Sequence, residues 1–269
     1  MSNTEAGSST ETNSETSPST LSDEELLRYS RQLLLEPFGF EAQTRFKQAT
    51  VLIVGLGGLG SPAALYLAAA GIGKLILVDH DQLDLTNLQR QIMYRTSQVD
   101  EDKSQAAGAN LSSLNPHVDI QALSQKLDSD SLDPLVAAAD VVLDCTDNLD
   151  IRYAINAACV KHKTPLAEAA AIGMEGHFTF FDASEENAPC YQCMVPDTGK
   201  RPDANCANNG VLGPVLGMMG SLQALSTLKH LAGLDTQKHT LIRFDALHLS
   251  WQEFKLVQDP QCPICQSKQ

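Results

Sequence analysis

Several short stretches of this chain carry residue types that do chemistry. Gly55, Gly57 and Gly60 fill the three places of a G-x-G-x-x-G loop, directly after the apolar run Thr50–Val54. A strand, a tight turn and a helix start in that order aim backbone N–H groups at a pyrophosphate. Asp79 stands 19 residues after Gly60, where a carboxylate accepts ribose hydroxyls, and Asp81 competes for that role. So far the pattern suits NAD and ATP equally. The run Asn87-Leu-Gln-Arg90-Gln91, followed by Lys103, separates the two. Hydride transfer has no use for an Asn, an Arg and a Lys around the phosphates, whereas phosphoryl or nucleotidyl transfer needs fixed cations where charge moves onto the leaving group. The plain alternative for these residues is a solvated polar surface.

Asp147 lies in Asp144-Cys-Thr-Asp-Asn148, just past an apolar run, where open α/β sheets bind ligands. One carboxylate beside a polyphosphate suits Mg2+; the competing role is an N-cap for the helix that follows. Cys190-x-x-Cys193 and Cys262-x-x-Cys265, 68 residues apart, present two pairs of thiolates to one tetrahedral corner. That is a structural zinc pattern with no open ligand position; a redox dithiol is the lesser alternative. Cys145 and Cys159 fall on apolar elements and read as core. Cys206 sits in a polar stretch and is a possible nucleophile, with an inert thiol as the competing reading. The seven histidines show no metal spacing, and none stands out as catalytic.

The elements that must position these groups alternate. Strands are expected at 50–54, 75–79, 118–123, 140–144 and 165–170, with helices at 60–71, 102–114, 130–139 and 148–162. Gly71 and Gly73 should close the first of these helices. Further strands at 177–181, 240–245 and 249–257 and a helix over about 211–233 complete an α/β, Rossmann-like fold, a largely parallel central sheet continued by antiparallel C-terminal strands. Ser22 and Glu25 form a capping box ahead of Leu26, Leu27, Leu33, Leu34 and Leu35, which predicts one helix with an apolar face. Residues 1–21 form an acidic tail expected to be disordered, because its Ser, Thr, Glu and Asn bury too little apolar surface. Residues 22–269 form a single domain. The polar segment 183–210 is long for a loop and is a candidate lid or crossover.

The 269 residues include 33 acidic and 19 basic ones, a net charge of −14, which argues against a nucleic-acid binder. No secretory signal is visible, so a cytoplasmic location with reduced cysteines is expected. The uncharged stretch 204–228 is interrupted by Asn, Pro and Gln and is not expected to span a membrane.

Taken in order, Arg28-Tyr-Ser-Arg31-Gln32, the Gly55–Gly60 loop, Asp79, Asn87 to Gln91, Lys103, Cys145 to Asn148 and the two cysteine pairs resemble the MoeB/ThiF/HesA family, relatives of the ubiquitin-activating enzymes. The resemblance covers about residues 22–266 and is most like the MoeB branch, the molybdopterin-synthase adenylyltransferases. It implies ATP-dependent adenylation of the C-terminal glycine carboxylate of a small ubiquitin-like sulfur carrier ending in Gly-Gly, serving molybdopterin, thiamin or another pathway, with release of pyrophosphate. By matching position, Gly55, Gly57, Gly58 and Gly60 would line the nucleotide, Asp79 would hold the ribose, and Asn87, Arg90 and Lys103 the phosphates. Asp147 would bind Mg2+. Arg31 would reach the γ-phosphate in the neighbouring subunit of a homodimer, and Cys206 aligns with a cysteine that links to the carrier in some relatives. An NAD-dependent oxidoreductase is the alternative that the glycine loop alone leaves open.

Overall fold

The apolar run Thr50–Val54 forms β1, buried from Val51 onward as a central strand of a parallel sheet must be. The structure is a computed structural model, and it describes residues 20–199 and 210–266. Residues 1–19 of the expected tail therefore lie outside the described residues, as do Cys206 and the rest of 200–209 in the candidate lid.

β1 is followed by β2 (Lys74–Val78), β3 (Asp119–Leu123), β4 (Val141–Asp144) and β5 (Leu166–Ile172), all paired in parallel. β6 (Glu175–Phe181), β7 (Thr240–Asp245) and β8 (Ser250–Lys255) continue the sheet as antiparallel strands. The eight strands run in the order β3-β2-β1-β4-β5-β6-β7-β8. From β1 the chain winds outward to β2 and β3, then returns to lay β4 on the other side. The reversal leaves a crevice at the carboxyl ends of β1 and β4.

The helices are α1 (Asp23–Arg28), α2 (Ser30–Leu33), α3 (Gly39–Gln48), α4 (Gly60–Ala70), α5 (Lys103–Leu114), α6 (Ser129–Ala137), α7 (Leu149–His162), α8 (Tyr191–Met194) and α9 (Gly213–Leu231). Side chains alternate across the strands, so two cores form. Val51, Ile53, Leu75, Leu77, Leu143 and Phe178 pack beneath α3, α4, α5 and α9, while Leu52, Val54, Ile76, Val78, Val142 and Phe181 pack beneath α6 and α7. Each such apolar side chain contributes about 1.5–3 kcal/mol by leaving water.

Three expectations need correction. The predicted leucine-rich helix is two short ones, because Tyr29 leaves helical geometry at the joint and turns its ring into the core. The Tyr29 hydroxyl accepts a hydrogen bond from Asn115 at 2.8 Å. Leu27, Leu34 and Leu35 stay 77%, 76% and 53% exposed, so the apolar face they form is not covered by this chain. The core contact comes instead from α3, through Ala42 and Phe46. Second, Gly71 is the left-handed C-cap of α4 (φ 85°), whereas Gly73 allows a close backbone approach, since a Cβ there would collide with the Lys47 carbonyl oxygen. Third, α9 starts at Gly213, with Pro214 in its first turn.

No helix among the described residues is long and apolar enough to cross a membrane. The polar residue that interrupts α9, Gln223, is fully buried and donates to the carbonyls of Asp144 and Ala167 at 2.8 and 2.9 Å.

Candidate nucleotide-binding site

A cleft of about 1170 Å³ opens at the reversal point, lined by the glycine loop, the β2 end, the 84–91 turn, the start of α5 and the β4–α7 loop. Gly55 has φ 89°, a left-handed conformation closed to most side chains, and a Cβ there would meet the Cys145 carbonyl oxygen at 2.7 Å. The loop is thereby pressed against the end of β4 before turning into α4.

Asp79 lies just beyond β2 and is 9% exposed. Its Oδ2 accepts the Leu56 N–H at 2.7 Å and its Oδ1 the Asp81 N–H at 2.9 Å. The carboxylate that the sequence assigns to a ribose also ties down the glycine loop. Burial pushes its carboxyl upward, against the pull of Lys103 and the two backbone donors. From the other side, the buried Tyr94 hydroxyl donates to the Leu56 carbonyl at 2.9 Å.

Lys103 opens α5, and its backbone N–H donates to the Asp81 carbonyl. Its ammonium, only 7% exposed, donates to Asp81 Oδ2 at 2.8 Å. A cation at a helix N-terminus opposes the helix dipole, and the Asp81 charge offsets that. Burial raises the Asp81 carboxyl, but the hydrogen bond and charge of Lys103 outweigh it and hold it below the ordinary value. Asp81 is thus the partner of Lys103, and Asp79 the anchor of the loop. Arg90 is placed by a 3-10 turn over Leu85–Asn87, capped by Asp84, which takes the Thr86 N–H at 2.7 Å. The Arg90 guanidinium donates to the Thr86 carbonyl at 3.1 Å, and Asn87 lies on the same turn.

Asn148, not Asp147, caps α7, accepting from the Asp150 and Ile151 N–H groups at 2.9 and 3.4 Å. The capping alternative for Asp147 is therefore excluded. Asp147 is exposed on the cleft wall and makes no hydrogen bond or ion pair with the described residues. Arg31, on α2, does not line this cleft. Two features have no role that the sequence assigns. Gln91 is 4% exposed beside Gly57, and its Oε1 has no partner among the described residues. Asp144, Arg152 and Glu168 form a buried charged row under the cleft.

The ThiF family profile matches residues 29–264. This chain belongs to the ThiF family. It is 46% identical over 245 residues to the sulfur carrier protein ThiS adenylyltransferase of Escherichia coli K12, covering 91% of this chain and 97% of that one. It is 42% identical over 246 residues to the molybdopterin-synthase adenylyltransferase of Salmonella typhimurium, covering 91% and 98%. Among solved structures, E. coli MccB with ATP superposes with a TM-score of 0.77 at 23% identity, covering 89% of this chain and 74% of that one; at that identity the likeness carries the fold.

In this ThiF-family chain the four paired cysteines converge against α7, beside Val160 and Asn156. Their sulfurs all lie within 4.8 Å of one another, with Cys190–Cys193, Cys190–Cys262 and Cys193–Cys265 at 4.0, 3.7 and 3.4 Å. Four thiolates about 2.3 Å from one tetrahedral metal would be spaced about 3.8 Å apart. Asn156 Nδ2 and the Asp259 N–H point at the sulfurs of Cys190 and Cys193, as donors to thiolates should. Cys145 and Cys159 are buried in the core, as expected, and burial pushes both thiols upward.

Proposed function

We propose that this chain uses ATP to adenylate the C-terminal carboxylate of a small ubiquitin-like sulfur carrier ending in Gly-Gly, releasing pyrophosphate. The observation that carries the reading is the convergence, in one cleft, of the glycine loop, the Arg90 and Lys103 cations and the unpartnered Asp147 carboxylate. The relatives named above are adenylyltransferases, and neither they nor the placement of Arg90 and Lys103 on the cleft wall favours the oxidoreductase alternative.

The N–H groups of Gly57, Gly58 and Gly60 line the phosphates, and Asp79 accepts the ribose hydroxyls while holding the loop. Asn87, Arg90 and Lys103 bind the phosphate oxygens, with Lys103 exchanging its Asp81 contact for a phosphate. Asp147 would hold Mg2+, which neutralises phosphate charge when bound. The nucleophile is a carboxylate with an ordinary pKa near 4, so it arrives ionised and no general base is needed. What it needs is fixed orientation and neutralisation of anion–anion repulsion at the α-phosphorus, which Arg90 and Lys103 supply.

Cys190, Cys193, Cys262 and Cys265 would hold a structural Zn2+ that fastens the C-terminal segment to the start of α8. The exposed Leu27 of α1 and Leu34 and Leu35 just past α2 support a homodimer in which Arg31 completes the partner's site. Cys206 remains an expectation for a covalent link to the carrier.

The decisive experiment is ATP–pyrophosphate exchange against a panel of carriers, ThiS and the molybdopterin-synthase small subunit among them, each also made without its last glycine. Exchange with one carrier, lost on truncation, establishes reaction and partner together. Exchange with none of them overturns the reading.

A further inference from the structure

The cleft extends past the phosphate-facing residues onto the β5–β6–β7 end of the sheet, where Ala171, Ile172, Gly176, His177 and Arg243 line it. Beneath this end lies a buried charged row. Ala170 of β5 pairs in register with His177 of β6, and Arg243 of β7 pairs with His177 from the other side. Glu168 is fully buried, and its Oε1 binds both the Arg152 guanidinium and, at 3.3 Å, the His177 ring at Nε2. Arg152 also donates to the carbonyls of Thr146 and Ala169, which ties the row to the loop bearing Asp147.

The protonation pattern follows from these contacts. Burial alone raises the Glu168 carboxyl, but His177 and Arg152 outweigh it and hold the group below its ordinary value. Glu168 is therefore a carboxylate and only accepts, so His177 Nε2 carries a hydrogen. The His177 side chain is 34% exposed, and its Nδ1 has no partner among the described residues. Around it stand Glu168 on β5, Glu175 and Arg243 joined by an ion pair at 3.1 Å, Arg152 and Asp144 beneath, and Tyr191 on α8. Burial pushes Asp144 toward its neutral form. In the neutral ring, a hydrogen on Nε2 leaves Nδ1 as the acceptor.

We propose that His177 receives the carboxyl-terminal peptide tail of the acceptor protein, its Nδ1 accepting a backbone N–H, with Glu168 as the buried anchor that fixes the ring. The proposal rests on the adenylation reading and adds to it the residue that reads the tail. A tail of two glycines has no side chains, so only its main-chain groups and its slimness can be recognised. A fixed acceptor at the open end of the cleft, ahead of Asp147 and the phosphates, meets that need. The role is one of positioning: His177 orders the peptide behind the reacting carboxylate and does not touch the phosphorus.

The test is a double-substitution cycle in ATP–pyrophosphate exchange, using the ThiS-type or molybdopterin-synthase-type carrier that supports exchange. His177→Phe removes the acceptor, and a semisynthetic carrier with N-methylglycine as its penultimate residue removes one tail N–H. The expected result is a rise of about tenfold in the KM for carrier in His177→Phe, the worth of one neutral hydrogen bond. The KM for ATP stays near wild type; the melting temperature of His177→Phe falls by about 5 °C, because the buried Glu168 carboxylate loses a donor, and His177→Gln, which keeps both a donor and an acceptor, restores part of each loss. The methylated carrier costs the wild type about as much and costs His177→Phe nothing further. N-methylation of the last glycine serves as the second arm, and coupling to either N–H supports the proposal. An unchanged carrier KM in His177→Phe, or fully additive losses with both methylated carriers, overturns it while leaving adenylation standing. Absence of exchange in the wild type with every carrier overturns both.

Discussion

Asp79 Oδ2 accepts the Leu56 N–H at 2.7 Å, so the carboxylate assigned to the ribose is also the latch of the glycine loop. On the proposed ribose role, binding and folding are coupled at that residue. Asp79→Ala leaves the Leu56 and Asp81 N–H groups without their acceptor, and a lost buried hydrogen bond to a charged group is worth about 1.5–3 kcal/mol. We expect a melting temperature lower by about 5 °C, together with loss of ATP-induced stabilisation. A normal melting temperature with ATP stabilisation lost would mean that Asp79 serves the ligand alone.

Asp147 behaves in the opposite way. It is exposed and has no partner among the described residues, so Asp147→Ala should leave the melting temperature within about 1 °C of wild type, as surface substitutions do. Carrier-dependent ATP–pyrophosphate exchange should fall by at least about 100-fold. Exchange at a normal rate would remove Asp147 from the Mg2+ site.

The Asp81–Lys103 pair gives a pH signature. In the fold the Asp81 carboxyl is held below its ordinary value, so its contribution to stability is complete above the unfolded value of about 3.9. That contribution is lost as pH falls through the folded value. Asp81→Asn should therefore be less stable than wild type at about pH 5–7, with the gap closing as pH falls below the unfolded value of about 3.9. Denaturation followed by circular dichroism across that range checks it, and a constant gap down to the lowest pH would contradict it.

Site sharing can be tested by mixing subunits. If Arg31 completes the partner's cleft, Arg31→Ala and Asp147→Ala homodimers are both inactive, but each heterodimer keeps one intact site. Random exchange makes half the dimers heterodimers, so about a quarter of wild-type activity should return. No recovery in confirmed heterodimers would place Arg31 outside the reaction.

What the sequence made legible and what it hid divide along a physical line. Strands β1, β2 and β4 were visible because both faces are buried and each reads as an apolar run, and the phosphate-side residues were visible because they cluster in short stretches. The Asn148 cap and the Asp81–Lys103 pair were not, because neighbouring residues of the same type compete for a role that only backbone geometry assigns. Glu168 and His177 were invisible for another reason: they lie nine residues apart and meet only because β5 and β6 form a hairpin whose register brings their ends together. The division of the leucine-rich segment at Tyr29 depends on Asn115, which is 86 residues away.

Gly58 and Gly60 distinguish two kinds of close approach within the same loop. A Cβ on Gly60 would collide with the Gly55 carbonyl oxygen, which is backbone and cannot yield without unwinding the turn. A Cβ on Gly58 would stand 2.5 Å from Leu216 Cδ1, the tip of a side chain on α9 that can rotate away. Gly60→Ala should therefore abolish ATP binding and destabilise the protein by about 3 kcal/mol or more, the range for backbone-level strain. Gly58→Ala should cost about 1–2 kcal/mol from overpacking, and Leu216→Ala in the same chain should relieve part of that cost. Thermal melts of Gly60→Ala, Gly58→Ala, Leu216→Ala and the Gly58→Ala/Leu216→Ala double variant, with and without ATP, decide the matter. If the Gly58→Ala and Leu216→Ala losses simply add, the obstruction at Gly58 is not Leu216, and the N–H of Gly58 toward the phosphates becomes the explanation for its loss.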